Sequence, residues 1–231
     1  MKQVYICGDS FGCTDDEYGD YCWANQLSKS LKGQATLTNL SCVAVSNLHI
    51  GSQVKHAISN NADYIIYLAT SSVRNDIAVH QTNNVTGLYT RYTDIVQKDS
   101  TKELVSYSIP TLHNIGTLLN TKQLTILKQY HSEFFDIKLA IHQNHLIIEG
   151  TLSILEHSKI PFIFDQGGFE HQKYSDTKSN QYFEGYNNYR SKINLWDYVD
   201  LPPLYRPYYH ITDPQVHNDV ALYYYNKIIN I

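Results

Sequence analysis

Two spacings of apolar residues run through this chain. Val4-Tyr5-Ile6-Cys7 and Tyr64-Ile65-Ile66-Tyr67-Leu68-Ala69 are short unbroken apolar runs, which read as buried strands. Between them, Trp23, Leu27 and Leu31 fall four apart and mark one helix face, with Gly33 as its stop. Ala35 to Leu40 alternates toward a second strand, and Asn47 to Asn60, with Leu48, Val54, Ala57 and Ile58, reads as a second helix. The first 70 residues therefore predict strand, helix, strand, helix, strand, the rhythm of a parallel sheet flanked by helices.

The rhythm stops over residues 76–120, which are rich in Thr, Asn, Tyr and Ser; this stretch reads as an insertion, a lid or a binding surface. From Thr121 to Lys159 apolar residues recur at three- and four-residue steps. One helix over that span would be about 58 Å long, so a bend is expected, with Gly150 as a candidate. Pro161-Phe162-Ile163-Phe164 predicts a fourth strand, and residues 165–194 read as polar loops. The chain closes on a helix capped by Thr212 or Asp213, with Pro214 in its first turn and Val216, Val220, Ala221, Tyr224 and Ile228 inward. The expectation is one domain over residues 1–231: a three-layer α/β/α sandwich around a parallel sheet, with residues 76–160 as an insertion that includes a helical segment.

Composition narrows the function classes. Hydrophobic residues make up 42% and charged residues 17%, enough apolar content for a packed core. A net charge of −4 supplies no basic footprint for nucleic acid. No apolar run approaches the roughly 18 residues of a membrane span, and Asp9 interrupts any leader-like start, so neither a membrane anchor nor a signal peptide is expected. Cys7, Cys13, Cys22 and Cys42 form no CxxC pair. Neither a zinc site nor a disulfide framework is expected, and a reducing compartment such as the cytoplasm is. Twenty tyrosines suggest a tyrosine-rich surface for contact with a protein or a sugar.

The candidate chemistry starts at Gly8-Asp9-Ser10-Phe11-Gly12, directly after the first strand. A serine on a glycine-flanked turn off a strand end is exposed as a nucleophile, with following amides able to face an oxyanion. Only nine residues precede Ser10, too few for the several strands that come before an α/β-hydrolase elbow. The glycines do not make G-x-G-x-x-G, and no Walker lysine follows.

With Gly8-Asp9-Ser10 at the first strand's end, the chain resembles the SGNH (GDSL-type) hydrolases, whose sheet is of the flavodoxin-like kind. The family's second block aligns with Asn39-Leu40-Ser41-Cys42-Val43-Ala44-Val45-Ser46-Asn47, placing Ala44 where the family has an oxyanion-hole glycine. The third block, Gly-x-Asn-Asp, aligns with the end of Ala69-Thr70-Ser71-Ser72-Val73-Arg74-Asn75-Asp76: the Asn75-Asp76 pair is kept, the glycine is not, and Ser72 is an alternative occupant of the asparagine's space. The last block, Asp-x-x-His before the final helix, departs. His210 stands where the family's base stands, but Pro207 replaces the aspartate; Asp213, Asp200 or a backbone carbonyl would then orient the ring. His217, four residues after Asp213, is the alternative base. Loss of the aspartate in a serine protease costs roughly 10⁴ in turnover.

The resemblance implies a serine esterase or deacylase acting on a small ester or an acetylated carbohydrate, with Ser10 as nucleophile, His210 as base and the amides of Ser10, Ala44 and Asn75 as oxyanion hole. It implies no cofactor and no metal. The rival expectation is a non-catalytic binding or structural protein on the same fold, for example a component of a virus particle, meeting a protein partner through the tyrosine-rich surface or residues 76–160.

Blander readings stand beside these. Asn75-Asp76 also reads as a turn, and His217 as a solvated histidine facing outward. His142 and His145, three apart on a helical stretch, lack the carboxylate signature of a metal site. Asp15-Asp16-Glu17-Tyr18-Gly19-Asp20 lacks calcium-loop alternation and reads as a charged rim beside Ser10.

Overall fold

A computed structural model describes residues 1–13, 19–42, 45–70, 74–80, 102–107, 119–167, 190–194 and 213–230. The described elements are β1 (Lys2–Cys7), α1 (Trp23–Ser30), β2 (Ala35–Asn39), α2 (Asn47–Ser59), β3 (Tyr64–Ala69), β4 (Asn75–His80), β5 (Lys102–Tyr107), α3 (Thr121–Phe134), α4 (Ile137–Ser158), β6 (Phe162–Gln166), β7 (Arg190–Asn194) and α5 (Pro214–Ile229). The protein is α/β. Five strands form one parallel sheet in the order β2-β1-β3-β6-β7, and β4 and β5 pair antiparallel as a separate ribbon.

The alternation of side chains along a strand explains why the sheet is covered on both faces. Val4 and Ile6 of β1, with Tyr64, Ile66 and Leu68 of β3, join Trp23 and Leu27 of α1 and Val220, Tyr224 and Ile228 of α5 in one core. Tyr5, Cys7, Ile65 and Tyr67 point the other way and join Val54 and Ala57 of α2 and Ile148, Leu152 and Leu155 of α4 in a second core. Trp23 and Tyr224 stack with ring centroids 4.9 Å apart, tying α1 to α5.

The long helical stretch divides at Phe135-Asp136, not at the expected Gly150, which lies within α4. The Asp136 carboxylate accepts the amides of Lys138 and Leu139 and starts a new helix, whereas nothing near Gly150 crowds or kinks the helix. α4 is a core layer element through Ile148, Leu152 and Leu155. The β4–β5 ribbon falls where no periodicity was expected, Asn75 pairing in register with Tyr107. β6 runs two residues past Phe164, and β7 lies within the segment read as loops. The expected surface tyrosines are partly corrected: Tyr5, Tyr64, Tyr67 and Tyr224 are buried, Tyr21 and Tyr130 exposed. Among the described residues no helix is long and apolar enough to cross a membrane.

Candidate active site

In the order β2-β1-β3-β6-β7 the chain leaves β1 toward β2 on one side, then returns to β3 on the other. Loops at the carboxyl ends of β1 and β3 therefore diverge, and this switch point is where open α/β sheets form a binding crevice. Gly8-Asp9-Ser10 leaves β1 at that point. Ser10 is half-buried, and the turn closes through Gly12 N–H to the Asp9 carbonyl (3.0 Å) and Cys13 N–H to the Ser10 carbonyl (3.3 Å).

Glycines are required here by space. A Cβ on Gly8 would lie 2.9 Å from Leu68 Cβ, and one on Gly12 would collide with the Ser41 hydroxyl. Trp23 Nε1 donates to the Phe11 carbonyl (2.7 Å) and Asn39 Nδ2 to the Gly12 carbonyl (2.7 Å), so both α1 and the end of β2 grip the turn after the serine.

Asp9 is fully buried, which is costly for a carboxylate unless it is paired. Its Oδ1 accepts the Phe11 amide (3.0 Å), its Oδ2 accepts the Thr70 hydroxyl (2.6 Å), and Arg74 Nη1 lies 3.7 Å from Oδ2. Arg74 also donates to the Val45 carbonyl (2.9 Å), drawing the chain after β3 onto the chain before α2. Asn47 exchanges two hydrogen bonds with the Thr70 backbone and donates to Asn144 of α4 (3.0 Å). A Cβ on Gly167 would lie 2.8 Å from Asp9 Oδ1, so the end of β6 also abuts this carboxylate. Asp9 thus anchors the serine turn to the ends of β3 and β6.

Ser46, His49 and Asp76 form a second polar cluster beside it. Ser46 Oγ donates to Asp76 Oδ2 (2.7 Å) and accepts the His49 amide (3.3 Å), capping α2. His49 Nδ1 lies 3.1 Å from Asp76 Oδ1 and 3.4 Å from Ser46 Oγ. Serine and carboxylate meet the same ring nitrogen, whereas a catalytic relay needs them on opposite nitrogens. This cluster holds β4 to α2 and is not a triad.

Of the predicted oxyanion residues, Ser10 occupies the turn, Asn75 opens β4 next to Arg74, and Ala44 lies outside the described residues. Asn75-Asp76 is the start of a strand, not a turn. His210, Asp200 and Ser72 also lie outside them. Asp213 is the N-cap of α5, its Oδ1 accepting the Gln215 amide (2.8 Å).

His217 corrects an expectation: it is not solvated but 5% exposed, and its Nδ1 accepts the Trp23 amide (3.2 Å). That bond places the start of α5 beside the start of α1, at the edge where the serine turn leaves the sheet. Of the acidic rim, Asp20 pairs with Lys29 (3.0 Å) on the surface. His145 is matched with Glu149 (3.3 Å), and burial, reinforced by His142 and opposed by Glu149, lowers its pKa. No set of three His, Cys, Asp or Glu is placed to hold a metal among the described residues.

Gln53, Thr70, Arg74 and Asn144 were not singled out by sequence reasoning. Gln53 and Asn144 are polar residues on the inner faces of helices, a pattern break that could have flagged them. No protein-family model matches the chain, and no curated protein matches it.

Proposed function

We propose that the chain is a serine ester hydrolase of the SGNH type. The observation that carries this reading is the position of Ser10: three residues past a central parallel strand, at the switch point, on a turn fixed by a buried carboxylate. Ser10 Oγ attacks the ester carbonyl while His210 takes its proton. The amides of Ser10, Ala44 and Asn75 receive the developing oxyanion, each such donor contributing about 3 kcal/mol. The alcohol leaves with the proton returned by His210, and water releases the acyl group. His210 is preferred to His217 as base for a reason of proton placement. An Nδ1 that accepts an amide hydrogen bond has no proton, so the neutral ring carries it on Nε2, where a base needs a lone pair. The substrate class is a small acyl ester or an acetylated sugar.

The test is covalent. A fluorophosphonate should label Ser10, an aryl acetate should be hydrolysed, and Ser10→Ala should abolish both with little change in melting temperature. Absence of both labelling and turnover in the folded wild-type protein would sink the reading.

A second reading, a non-catalytic binding protein, draws on one observation. Ile126, Tyr130 and Phe134 form an exposed apolar stripe four residues apart on α3. Under it Ser10 is inert, and Tyr130→Ser with Phe134→Ser removes a copurifying protein.

A further inference from the structure

Gln53 lies on α2, 45 residues from Gly8 in sequence, and is fully buried. The β1–β3 ladder ends at Cys7↔Tyr67 and the β1–β2 register at Ile6↔Asn39. Gly8 is therefore the first residue past the paired strand, where a buried backbone amide and carbonyl need partners. The Gln53 carboxamide supplies both kinds. Gly8 N–H donates to Gln53 Oε1 (2.7 Å), and Gln53 Nε2 donates to the Gly8 carbonyl (3.3 Å), which also accepts the Cys42 amide (3.2 Å). The side chain thus acts as one further peptide unit of strand edge. It holds the chain in line for one residue more, so that the turn begins at Asp9 and presents Ser10.

We propose that Gln53 is a positioning residue for the Ser10 nucleophile, an inference that rests on the serine hydrolase reading. Asp9 fixes the turn from below, but nothing else described pairs the Gly8 amide, so a shift of Gly8 carries directly to the serine two residues on. A misplacement of about 1 Å costs on the order of 10²-fold in rate.

The experiment compares wild type, Gln53→Met and Gln53→Glu in the full chain. It follows the rate of Ser10 labelling by a fluorophosphonate and hydrogen exchange at the Gly8 amide. Gln53→Met preserves volume and removes both hydrogen bonds; labelling should slow by about 10- to 100-fold and Gly8 should lose protection. Gln53→Glu carries a donor and an acceptor only while its carboxyl is protonated. Its labelling rate, divided by that of wild type at each pH, should recover as pH falls through the carboxyl's pKa. With Gln53→Glu shown by circular dichroism to be folded at every pH used, a role in fold stability alone would not produce that recovery. Wild-type labelling in a folded Gln53→Met protein, or a pH-independent ratio for Gln53→Glu, overturns the proposal. If Gln53→Met does not fold, the Gln53→Glu ratio decides. If wild type itself is not labelled, the hydrolase reading fails separately. Gly8 exchange then judges Gln53: equal protection in wild type and Gln53→Met overturns its hold on the turn, and lost protection sustains it.

Discussion

His217 Nδ1 accepts the backbone N–H of Trp23 at 3.2 Å, joining two residues 194 positions apart. Trp23 opens α1, where amides have no partner within the helix. A side chain from α5 supplies one, and the same tryptophan grips the Phe11 carbonyl through Nε1. The last helix is thereby tied through one residue to the serine turn.

His217→Ala should lower stability by about 1–3 kcal/mol, because a buried amide loses its acceptor. Urea unfolding at neutral pH measures it, with the midpoint falling at unchanged slope. Ser10 labelling in the same variant should stay within a few-fold of wild type, since His210 is the proposed base. A loss of labelling as large as that of His210→Ala would assign the base to His217.

The Asp9–Arg74 pair yields a second expectation. Asp9→Asn leaves a buried guanidinium without its carboxylate and should cost about 3–5 kcal/mol. Arg74→Met exposes the converse defect. The double variant should be less destabilised than the sum of the two, because each single change removes the opposite charge beside the other buried group. A denaturation double-mutant cycle measures the coupling, and additivity would show that the 3.7 Å separation carries no interaction.

Tyr224 makes stability fall in alkali. Burial first, then the Asp165 charge and hydrogen bond, with Tyr223 and Tyr64 adding, raise its pKa well above 10.0. The folded state therefore retains a proton that the unfolded chain loses near pH 10. The stabilisation is fully present below pH 10 and is lost as pH rises toward the folded value. Tyr224→Phe should flatten the decline above pH 10 while costing about 1–3 kcal/mol at pH 7, where the buried Asp165 carboxylate loses the Tyr224 hydroxyl as a donor. Unfolding curves from pH 7 to 11 test both halves.

Gly8→Ala should destabilise by about 1–3 kcal/mol through overpacking, because the new methyl group meets Leu68 Cβ at 2.9 Å. Leu68 is itself buried, so Leu68→Ala alone should cost about 2–5 kcal/mol. Since the clash is with Leu68 Cβ, which alanine keeps, Leu68→Ala should relieve only the part owed to the rest of that side chain. Thermal unfolding of the two single variants and the double variant separates these terms.

Much of the fold was legible because it is written locally. Unbroken apolar runs placed β1 and β3, and the spacings of Trp23 and Leu27 and of Val220, Tyr224 and Ile228 placed α1 and the inner face of α5. The apolar run of β6 stops at Phe164 because Asp165 is polar; Tyr224 helps to offset its burial by donating to it at 2.9 Å. The ribbon of β4 and β5 escaped notice because its strands lack an apolar period, and pairing between segments some 25 residues apart leaves no trace in either one.

The sequence by itself determined the parallel α/β rhythm and put a serine between glycines at the end of the first strand. Both depend on neighbours a few positions apart, where period and backbone sterics act. Only the tertiary structure decided which polar residues meet that turn. Gln53 reaches Gly8, Thr70 and Arg74 reach Asp9, and His217 reaches Trp23, across separations from 45 to 194 residues. A buried polar group takes whichever partner the packed helices deliver to it, and that choice follows from how the layers assemble around the sheet.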